Sequence, residues 1–357
     1  MLNTAQQQAV EYTDGPLLIV AGAGTGKTTV ISEKIKYLID KKLAAPEEIL
    51  ALTFTDKAAA EMQERVDSML DIGYVDLQIS TFHAFCQRIL ETYALDIGLP
   101  NQFKLLTQTD AWLLLRQHIY TFDLEYYRPL GNPNRHIHEF LKHFSKCKDE
   151  LITPAQYLQY AENLTLDKDQ ADIQQKNKIT EIANAYHKYN QLLLDNQSLD
   201  FGDLIFYTVT LLEQRENIKK LLQKKYKYIL VDEFQDVNWA QYQLVQLLAA
   251  SGKLTVVGDD DQSIYAFRGA SVSNILRFKE DYANSKEIVL NQNYRSGQEI
   301  LDLAYTSIQE NNPDRLEKKL NINKKLVASG SIKNAEVTHI HKATLEEEVQ
   351  FVVEKIG

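Results

Sequence analysis

The sequence predicts an α/β protein: a parallel β-sheet flanked by helices, with an all-helical insertion and the start of a second domain of the same kind. Short apolar runs rich in branched residues recur along the chain, and most are followed by a stretch with apolar residues at helical spacing. This alternation is typical of parallel sheets with helices on their faces. From residue 96 to 198 the strand-like runs disappear and long helical patterns replace them, which predicts the insertion.

A glycine-rich turn follows the first predicted strand and precedes a predicted helix. Its glycines allow the backbone to curl so that N–H groups converge on phosphate oxygens beside a helix N-terminus. In this pattern Lys27 reaches the β- and γ-phosphates, and the hydroxyl of Thr28 ligates Mg²⁺. Ala21 replaces the first glycine of the pattern, which leaves the converging end of the loop intact. The sequence therefore predicts a nucleoside triphosphate site at Ala21, Gly22, Ala23, Gly24, Thr25, Gly26, Lys27, Thr28 and Thr29.

The composition is that of an ordinary globular protein. Of 357 residues, 44% are hydrophobic and 25% are charged. The net charge of −10 argues against a uniformly basic surface, so nucleic-acid binding would need a local groove. Cys86 and Cys147 are far apart in the chain, which predicts free thiols in a reducing compartment. No signal peptide or membrane-spanning apolar run is recognisable, so we expect a cytoplasmic protein that does not bind membranes.

A glutamine precedes the phosphate-binding loop on a short, capped, amphipathic helix. The amide of Gln6 can donate to and accept from the edge of an adenine base. Three neighbouring glutamines are more often a solvated helix face, so the residue alone is a weak indicator.

Polar and aromatic residues lie beyond the carboxyl ends of the next two predicted strands. Phe54 and Thr55 follow one strand, and Thr81 and His83 follow the other. Ligands of parallel sheets bind at this edge, so these residues are candidates for a binding surface. Spacing alone favours core packing for Phe54.

Two acidic residues end a later predicted strand. Asp232 can hold Mg²⁺, and Glu233 can orient and deprotonate an attacking water.

Further along, aromatic residues are mixed with an arginine, which suits stacking on unpaired bases and cationic contact with phosphate. These residues are Tyr265, Phe267 and Arg268.

The ordered set of motifs resembles the amino-terminal half of a UvrD/Rep/PcrA-type superfamily 1 DNA helicase. The resemblance runs from Leu2 to Ser296, and an ordered series is far more specific than a phosphate-binding loop alone. After Gln6 and the loop, its motifs are residues 52–59, 80–83, 199–204, 231–236, 258–265 and 292–296.

The resemblance implies roles that spacing does not. Gln6 would read adenine and Tyr294 would stack on it. Gln262 would contact the γ-phosphate, and Arg295 would be an arginine finger from the second motor domain. The implied catalytic set is Lys27, Glu233, Gln262 and Arg295. The implied path of single-stranded DNA is lined by Phe54, Thr55, Thr81, His83, Tyr265, Phe267 and Arg268.

Two substitutions depart from the family pattern. Thr29 stands where many relatives have an arginine on the second adenine face, so we expect looser base specificity. Phe267 replaces a common tryptophan and Ala266 a common arginine, so we expect a weaker grip on DNA.

The resemblance also divides the chain. It implies a first RecA-like core at residues 1–95 and 199–289, the helical insertion at 96–198, and the beginning of a second RecA-like domain at 290–357. In that last part we expect a helix from Gln298, a strand at 336–340 and a helix from Leu345. The family's later motifs are absent, so we expect a fragment of a longer protein.

The expected function is translocation on single-stranded DNA, driven by ATP with Mg²⁺, and unwinding at duplex junctions. The resemblance implies movement from 3′ to 5′ in repair or replication, with proteins of those pathways as partners. Two alternatives remain open: a helicase subunit of a helicase–nuclease complex, and a nucleotide-gated DNA-binding module with little ATPase activity. A small-molecule kinase is disfavoured because it has no use for the motifs at 258–262 and 292–296.

Overall fold

Ten strands and fifteen helices make up the regular structure of the computed structural model, which describes residues 2–70, 77–164, 170–263, 273–329 and 337–356. The strands are β1 (Leu17–Ala21), β2 (Ile49–Thr53), β3 (Gln78–Thr81), β4 (Lys104–Leu105), β5 (Ser198–Leu199), β6 (Tyr228–Val231), β7 (Leu254–Gly258), β8 (Lys286–Leu290), β9 (Gln292–Asn293) and β10 (Val327–Ala328). The helices are α1 (Thr4–Glu11), α2 (Lys27–Asp40), α3 (Asp56–Met69), α4 (Phe82–Tyr93), α5 (Gln108–His118), α6 (Ile137–Asp149), α7 (Pro154–Asn163), α8 (Gln170–Asp195), α9 (Phe201–Gln214), α10 (Glu216–Lys225), α11 (Trp239–Leu248), α12 (Ser273–Asp281), α13 (Gln298–Ile308), α14 (Leu316–Lys319) and α15 (Leu345–Ile356).

Six of these strands form one parallel sheet in the order β3–β2–β6–β7–β1–β8. Successive residues of a strand point to opposite faces of a sheet, and both faces are covered here. Leu18 and Val20 of β1 pack in a core with α4, α9 and α11, whereas Leu17 and Ile19 pack with α1, α2 and α3. The four central strands β1, β2, β6 and β7 are therefore buried along their whole length, which is why short apolar runs predicted them correctly. The edge strands β3 and β8 also carry polar and exposed residues. The predicted α/β fold class is confirmed.

The helical segment between α4 and α9 has a hydrophobic core of its own. Residues of α5, α6 and α8 form it, with Phe144 and Tyr189 fully buried and stacked at 5.3 Å between ring centroids. The prediction that strands are lacking here was wrong at one point, because β4 pairs in parallel with β5. This short pair ties the beginning of the segment to its end.

The two cysteines are both buried and free, as the sequence predicted. Burial raises the pKa of the Cys86 thiol to about 12 and that of Cys147 to about 11, so neither is a reactive thiolate near neutral pH.

In the ranges that the structure covers, none of the helices combines the length and the apolar character needed to span a membrane.

A second small sheet begins after residue 290. β9 pairs in parallel with β10 and is separate from the six-stranded sheet. Helices begin at Gln298 and Leu345 as predicted. The strand expected at 336–340 was wrong for residues 337–340, which form no strand, and residue 336 lies outside the described residues. The tendency of β-branched residues to form strands is expressed only where a neighbouring strand pairs with them.

Candidate nucleotide and nucleic-acid site

The phosphate-binding loop connects β1 to α2. Gly24 and Gly26 have φ of 77° and 87°, a left-handed conformation that glycine adopts without strain. A Cβ at Gly26 would lie 2.9 Å from Nε2 of Gln6, so a side chain is also excluded by space. Ala21 is the last residue of β1, fully buried and paired with Leu290. Its methyl group therefore belongs to the sheet core, and the loop proper is complete without a glycine there.

Lys27, the first residue of α2, contacts two of the predicted catalytic residues. Its Nζ donates to Oε2 of Glu233 at 2.6 Å and to Oε1 of Gln262 at 3.2 Å. The ammonium is largely buried, with 9% of the side chain exposed, while the Glu233 carboxylate is 35% exposed. The ends of β1, β6 and β7 thus bring together a cation, a carboxylate and an amide at one point.

Asp232 and Glu233 follow β6 directly. Oδ1 of Asp232 accepts from the backbone N–H of Glu233 at 2.9 Å. Burial, together with the nearby charge of Glu233, raises the pKa of Asp232 to about 6, although Lys27 acts in the opposite direction. Glu233 has a left-handed backbone with φ of 50°. Such a conformation is uncommon outside glycine and is concentrated at functional sites.

Gln235 is a residue whose role sequence reasoning missed, although it lies in a quoted motif. It is 2% exposed, and its Nε2 donates to Oε2 of Glu233 at 2.7 Å. Its Oε1 accepts from the backbone N–H of Asp259 at 3.1 Å. Gln235 therefore fixes the carboxylate of Glu233 to the end of β7.

Gln6 and Tyr294 lie at the other end of the loop. Nε2 of Gln6 donates to the carbonyl of Thr25 at 2.9 Å, and its Oε1 accepts from the N–H of Asn3 at 3.0 Å. The hydroxyl of Tyr294 accepts from Nδ2 of Asn3 at 2.9 Å, and 44% of Tyr294 is exposed. One amide hydrogen and one lone pair of Gln6 remain for a base edge. Asn3, the N-cap residue of α1, thus contacts both Gln6 and Tyr294, the two residues predicted to contact adenine.

An arginine that the sequence analysis did not select lies beside Thr29. Nη1 of Arg65, on α3, donates to Oγ1 of Thr29 at 2.8 Å. The guanidinium therefore reaches the position whose missing arginine led us to expect looser base specificity. No local pattern could have indicated it, because the two residues are on different helices.

These residues enclose a single cavity of about 610 Å³. Asp232 and Thr25 are not among the lining residues and are buried, with 4% and 0% exposure. The cavity is lined by Leu2, Gln6, Ala23, Gly24, Gly26, Lys27, Thr28, Thr29, Glu33, Arg65, Glu233, Gln262, Tyr294 and Arg295.

Of the residues assigned to DNA, Phe54, Thr55, Thr81 and His83 do not line this cavity; they lie at or directly after the ends of β2 and β3. Oγ1 of Thr55 accepts from the N–H of Ala58, and Oγ1 of Thr81 accepts from that of Ala84, so both threonines cap helices. Phe54 is half-buried. Tyr265, Phe267 and Arg268 lie outside the described residues.

His83 lies at the same edge of the sheet, against an aromatic ring that the sequence analysis did not select. Its ring is 5.9 Å from that of Phe201, in an edge-to-face arrangement, and 49% of Phe201 is exposed. Burial lowers the pKa of His83, opposed by the charge of Asp56. The structure therefore places two aromatic rings, those of His83 and Phe201, together at this edge.

Known proteins match the chain over most of its length. Residues 2–283 match the family described as UvrD/REP helicase N-terminal domain. The ATP-dependent DNA helicase PcrA of Bacillus subtilis (strain 168) is 43% identical over 320 residues, which are 89% of this chain and 41% of the relative. The protein of the same name from Staphylococcus aureus (strain Mu50 / ATCC 700699) is 39% identical over 359 residues, 99% of this chain and 45% of the relative. The chain therefore spans less than half the length of these curated relatives.

Proposed function

Because this chain belongs to the UvrD/REP helicase family, we propose that it provides the ATP-binding half of a DNA helicase that moves along single-stranded DNA. The observation that carries this proposal is the cavity in which Lys27, Glu233, Gln262 and Arg295 meet, with Gln6 and Tyr294 at its other end. We assign residues 1–95 and 199–289 to the first RecA-like core, 96–198 to the helical insertion and 290–357 to the second core. Movement from 3′ to 5′, at duplex junctions and in repair or replication, is part of the proposal.

The chemistry of the donors fits Mg²⁺, which prefers oxygen ligands. Thr28 and Asp232 would hold the ion, which neutralises charge on the β- and γ-phosphates when bound. A triphosphate in the cavity gives Lys27 anionic partners other than Glu233. The freed carboxylate, still held by Gln235 at 2.7 Å, then accepts the proton of the attacking water.

The experiment that tests the proposal compares ATP turnover with and without single-stranded DNA, using the full-length protein. We expect stimulation by DNA, and separation of duplexes carrying a 3′ tail but not of those carrying a 5′ tail. ATP binding without stimulated turnover would favour a nucleotide-gated DNA-binding module instead.

The pH dependence of Mg²⁺ use follows from Asp232. Its pKa is raised to about 6, so below that pH protons compete with the metal for the carboxylate. Above pH 7 the carboxylate is charged and the apparent Mg²⁺ affinity should be constant. Between pH 6 and 5 the affinity should fall towards about tenfold per pH unit. Titration of Mg²⁺-dependent nucleotide binding across this range measures it, and Asp232→Asn, which cannot titrate, should lose most of the affinity and keep only the pH dependence of the nucleotide's terminal phosphate.

The proposed DNA surface is tested by Phe54→Ala. If the ring stacks on a base, single-strand affinity should fall by about 1–3 kcal/mol with little change in the melting temperature. Tyr160→Ala is the matched control, because Tyr160 is 56% exposed and lies on α7 in the helical segment. A large loss of thermal stability with unchanged DNA affinity per folded molecule would show that Phe54 is a core residue instead.

A further inference from the structure

Three consecutive aspartates follow β7, and a lysine from far along the chain lies among them. Carboxylate oxygens of Asp259, Asp260 and Asp261 lie within 4.8 Å of one another. Nζ of Lys324 is 2.5 Å from Oδ1 of Asp259 and 2.8 Å from Oδ2 of Asp261, and it also contacts Oδ1 of Asp260. Only 4% of the Lys324 side chain is exposed. The ammonium therefore occupies the position that a bound cation would take among these carboxylates. We refer to the three aspartates and Lys324, with Arg315, as the aspartate–lysine cluster.

Arg315, the N-cap residue of α14, binds one of these aspartates, Asp261. Its Nε and Nη2 donate to the two carboxylate oxygens of Asp261 at 2.7 and 2.6 Å, a bidentate pair. Its Nη1 donates to Glu317 at 2.6 Å, and the backbone N–H of Leu316 donates to Oδ2 of Asp260 at 2.8 Å. Arg315 is 3% exposed. The segment around α14 is therefore attached to the end of β7 by buried charged contacts.

Lys324 and Asp261 are kept charged by the neighbouring charges of the cluster. Burial alone would lower the pKa of Lys324, but the three aspartates raise it above its usual value. Burial would raise the pKa of Asp261, but the hydrogen bond from Arg315 and the charge of Lys324 keep it below its usual value. Lys324 and Asp261 both remain charged at neutral pH, so removing one partner leaves buried charge uncompensated.

Two chains of hydrogen bonds connect this cluster to the ATP site through Asp259. Oδ2 of Asp259 accepts from Nε2 of Gln262 at 2.7 Å, and Oε1 of Gln262 accepts from Lys27 at 3.2 Å. The backbone N–H of Asp259 donates to Gln235 at 3.1 Å, and Gln235 donates to Glu233 at 2.7 Å. Lys324 and Gln262 thus hold the two oxygens of one carboxylate. The position of Asp259 therefore determines the positions of the Gln262 and Glu233 side chains.

We infer that Lys324 and Arg315 are positioning residues for ATP hydrolysis: by fixing Asp259 and Asp261, they place Gln262 and the Gln235–Glu233 pair in the cavity. This inference rests on the proposed function. Lys324 and Arg315 belong to the part of the chain that also contacts the phosphate-binding loop, where Leu326 approaches Gly22. A displacement of that part relative to the sheet would therefore change the geometry at Glu233 without any direct contact with nucleotide.

The experiment compares Lys324→Met with Lys325→Met in the full-length protein. Lys325 is the matched control, since it is adjacent and 52% exposed, and its ammonium contacts Asp302 at 3.2 Å and lies 5.8 Å from the Tyr305 ring centroid. We expect Lys324→Met to lower kcat by about tenfold or more with less than about a threefold change in KM for ATP. Lys325→Met should resemble the parent. Lys324→Arg, which keeps the charge, should retain most of the turnover that Lys324→Met loses.

A charge-balanced variant separates positioning from simple instability, and it carries the test if Lys324→Met does not fold. The double variant Lys324→Met/Asp260→Asn removes the positive charge of Lys324 together with the negative charge of Asp260. It should therefore be more thermally stable than Lys324→Met, while its kcat stays low. Recovery of kcat together with stability would overturn the inference, as would a folded Lys324→Met with the kcat of Lys325→Met.

A second measurement works without turnover: the ratio of the Kd for ADP to that for a non-hydrolysable ATP analogue. Because Gln262 and Lys27 face the γ-phosphate in the proposal, Lys324→Met should lower this ratio, and an unchanged ratio contradicts the inference. A parent protein that binds ATP but never hydrolyses it contradicts the proposed function, whereas the ratio still tests Lys324.

Discussion

Glu233→Gln is expected to abolish ATP turnover while leaving nucleotide binding intact. The amide keeps the shape of the side chain but cannot take a proton from water, a function worth about 10²–10⁴ in rate. In the parent protein Lys27 donates to Glu233 at 2.6 Å, so the Glu233 carboxylate competes with phosphate for the Lys27 ammonium. We therefore expect ATP affinity to be equal to the parent or higher. Equilibrium binding of a fluorescent ATP analogue and steady-state turnover measure the two effects.

Glu213→Gln provides the control for this variant, because Glu213 is exposed on α9, away from the cavity. It should behave as the parent in both assays. Parent-like turnover in Glu233→Gln would show that Glu233 is not the base.

Arg295→Ala is expected to have a comparable or larger effect on hydrolysis. Arginine fingers neutralise charge on the departing phosphoryl group and contribute about 10³–10⁵ in rate. Arg295 lines the cavity, and its Cβ lies 2.7 Å from the position that a Cβ at Gly24 would occupy. Its backbone N–H donates to Oδ1 of Asn293 at 2.9 Å, which fixes the start of the side chain. Single-turnover hydrolysis at saturating ATP separates this loss from any change in affinity.

Arg295→Lys tests whether the guanidinium fork is needed, because lysine keeps the charge but not the geometry. We expect it to recover only part of the activity. Arg116→Ala, at an exposed position of α5, should have no effect. A loss of less than tenfold in Arg295→Ala would remove the arginine from the catalytic set.

The parts of the fold that the sequence predicted are those with a local signature. The four central strands of the sheet were found because each is a short run buried on both faces. α1 was predicted as a short capped helix, and in the structure Asn3 and Gln6 form a capping box three residues apart. The loop between β1 and α2 was found because its left-handed backbone at Gly24 and Gly26 favours glycine, which leaves a recognisable glycine pattern in the sequence.

The parts that could not be predicted depend on residues distant in the chain. Arg65 and Thr29 meet across two helices, and Lys324 reaches Asp260 over 64 positions. Nothing in the local sequence of Lys324 distinguishes it from Lys325, yet one is buried among carboxylates and the other is exposed. The sequence placed Gln235 in a motif, but only the fold shows that it joins Glu233 to Asp259.

The conformation of the phosphate-binding loop depends on residues outside the loop. Three of its carbonyls are held from outside: Nε2 of Gln6 donates to Thr25 at 2.9 Å, Nδ2 of Asn293 donates to Ala23 at 2.6 Å, and the N–H of Tyr294 donates to Gly24 at 2.9 Å. Because each peptide is planar, fixing a carbonyl also fixes the direction of the N–H that follows it, and hence which amides face the cavity. The smallest unit that can be transplanted as a nucleotide binder therefore includes β9, even though the six-stranded sheet is already complete at Leu290.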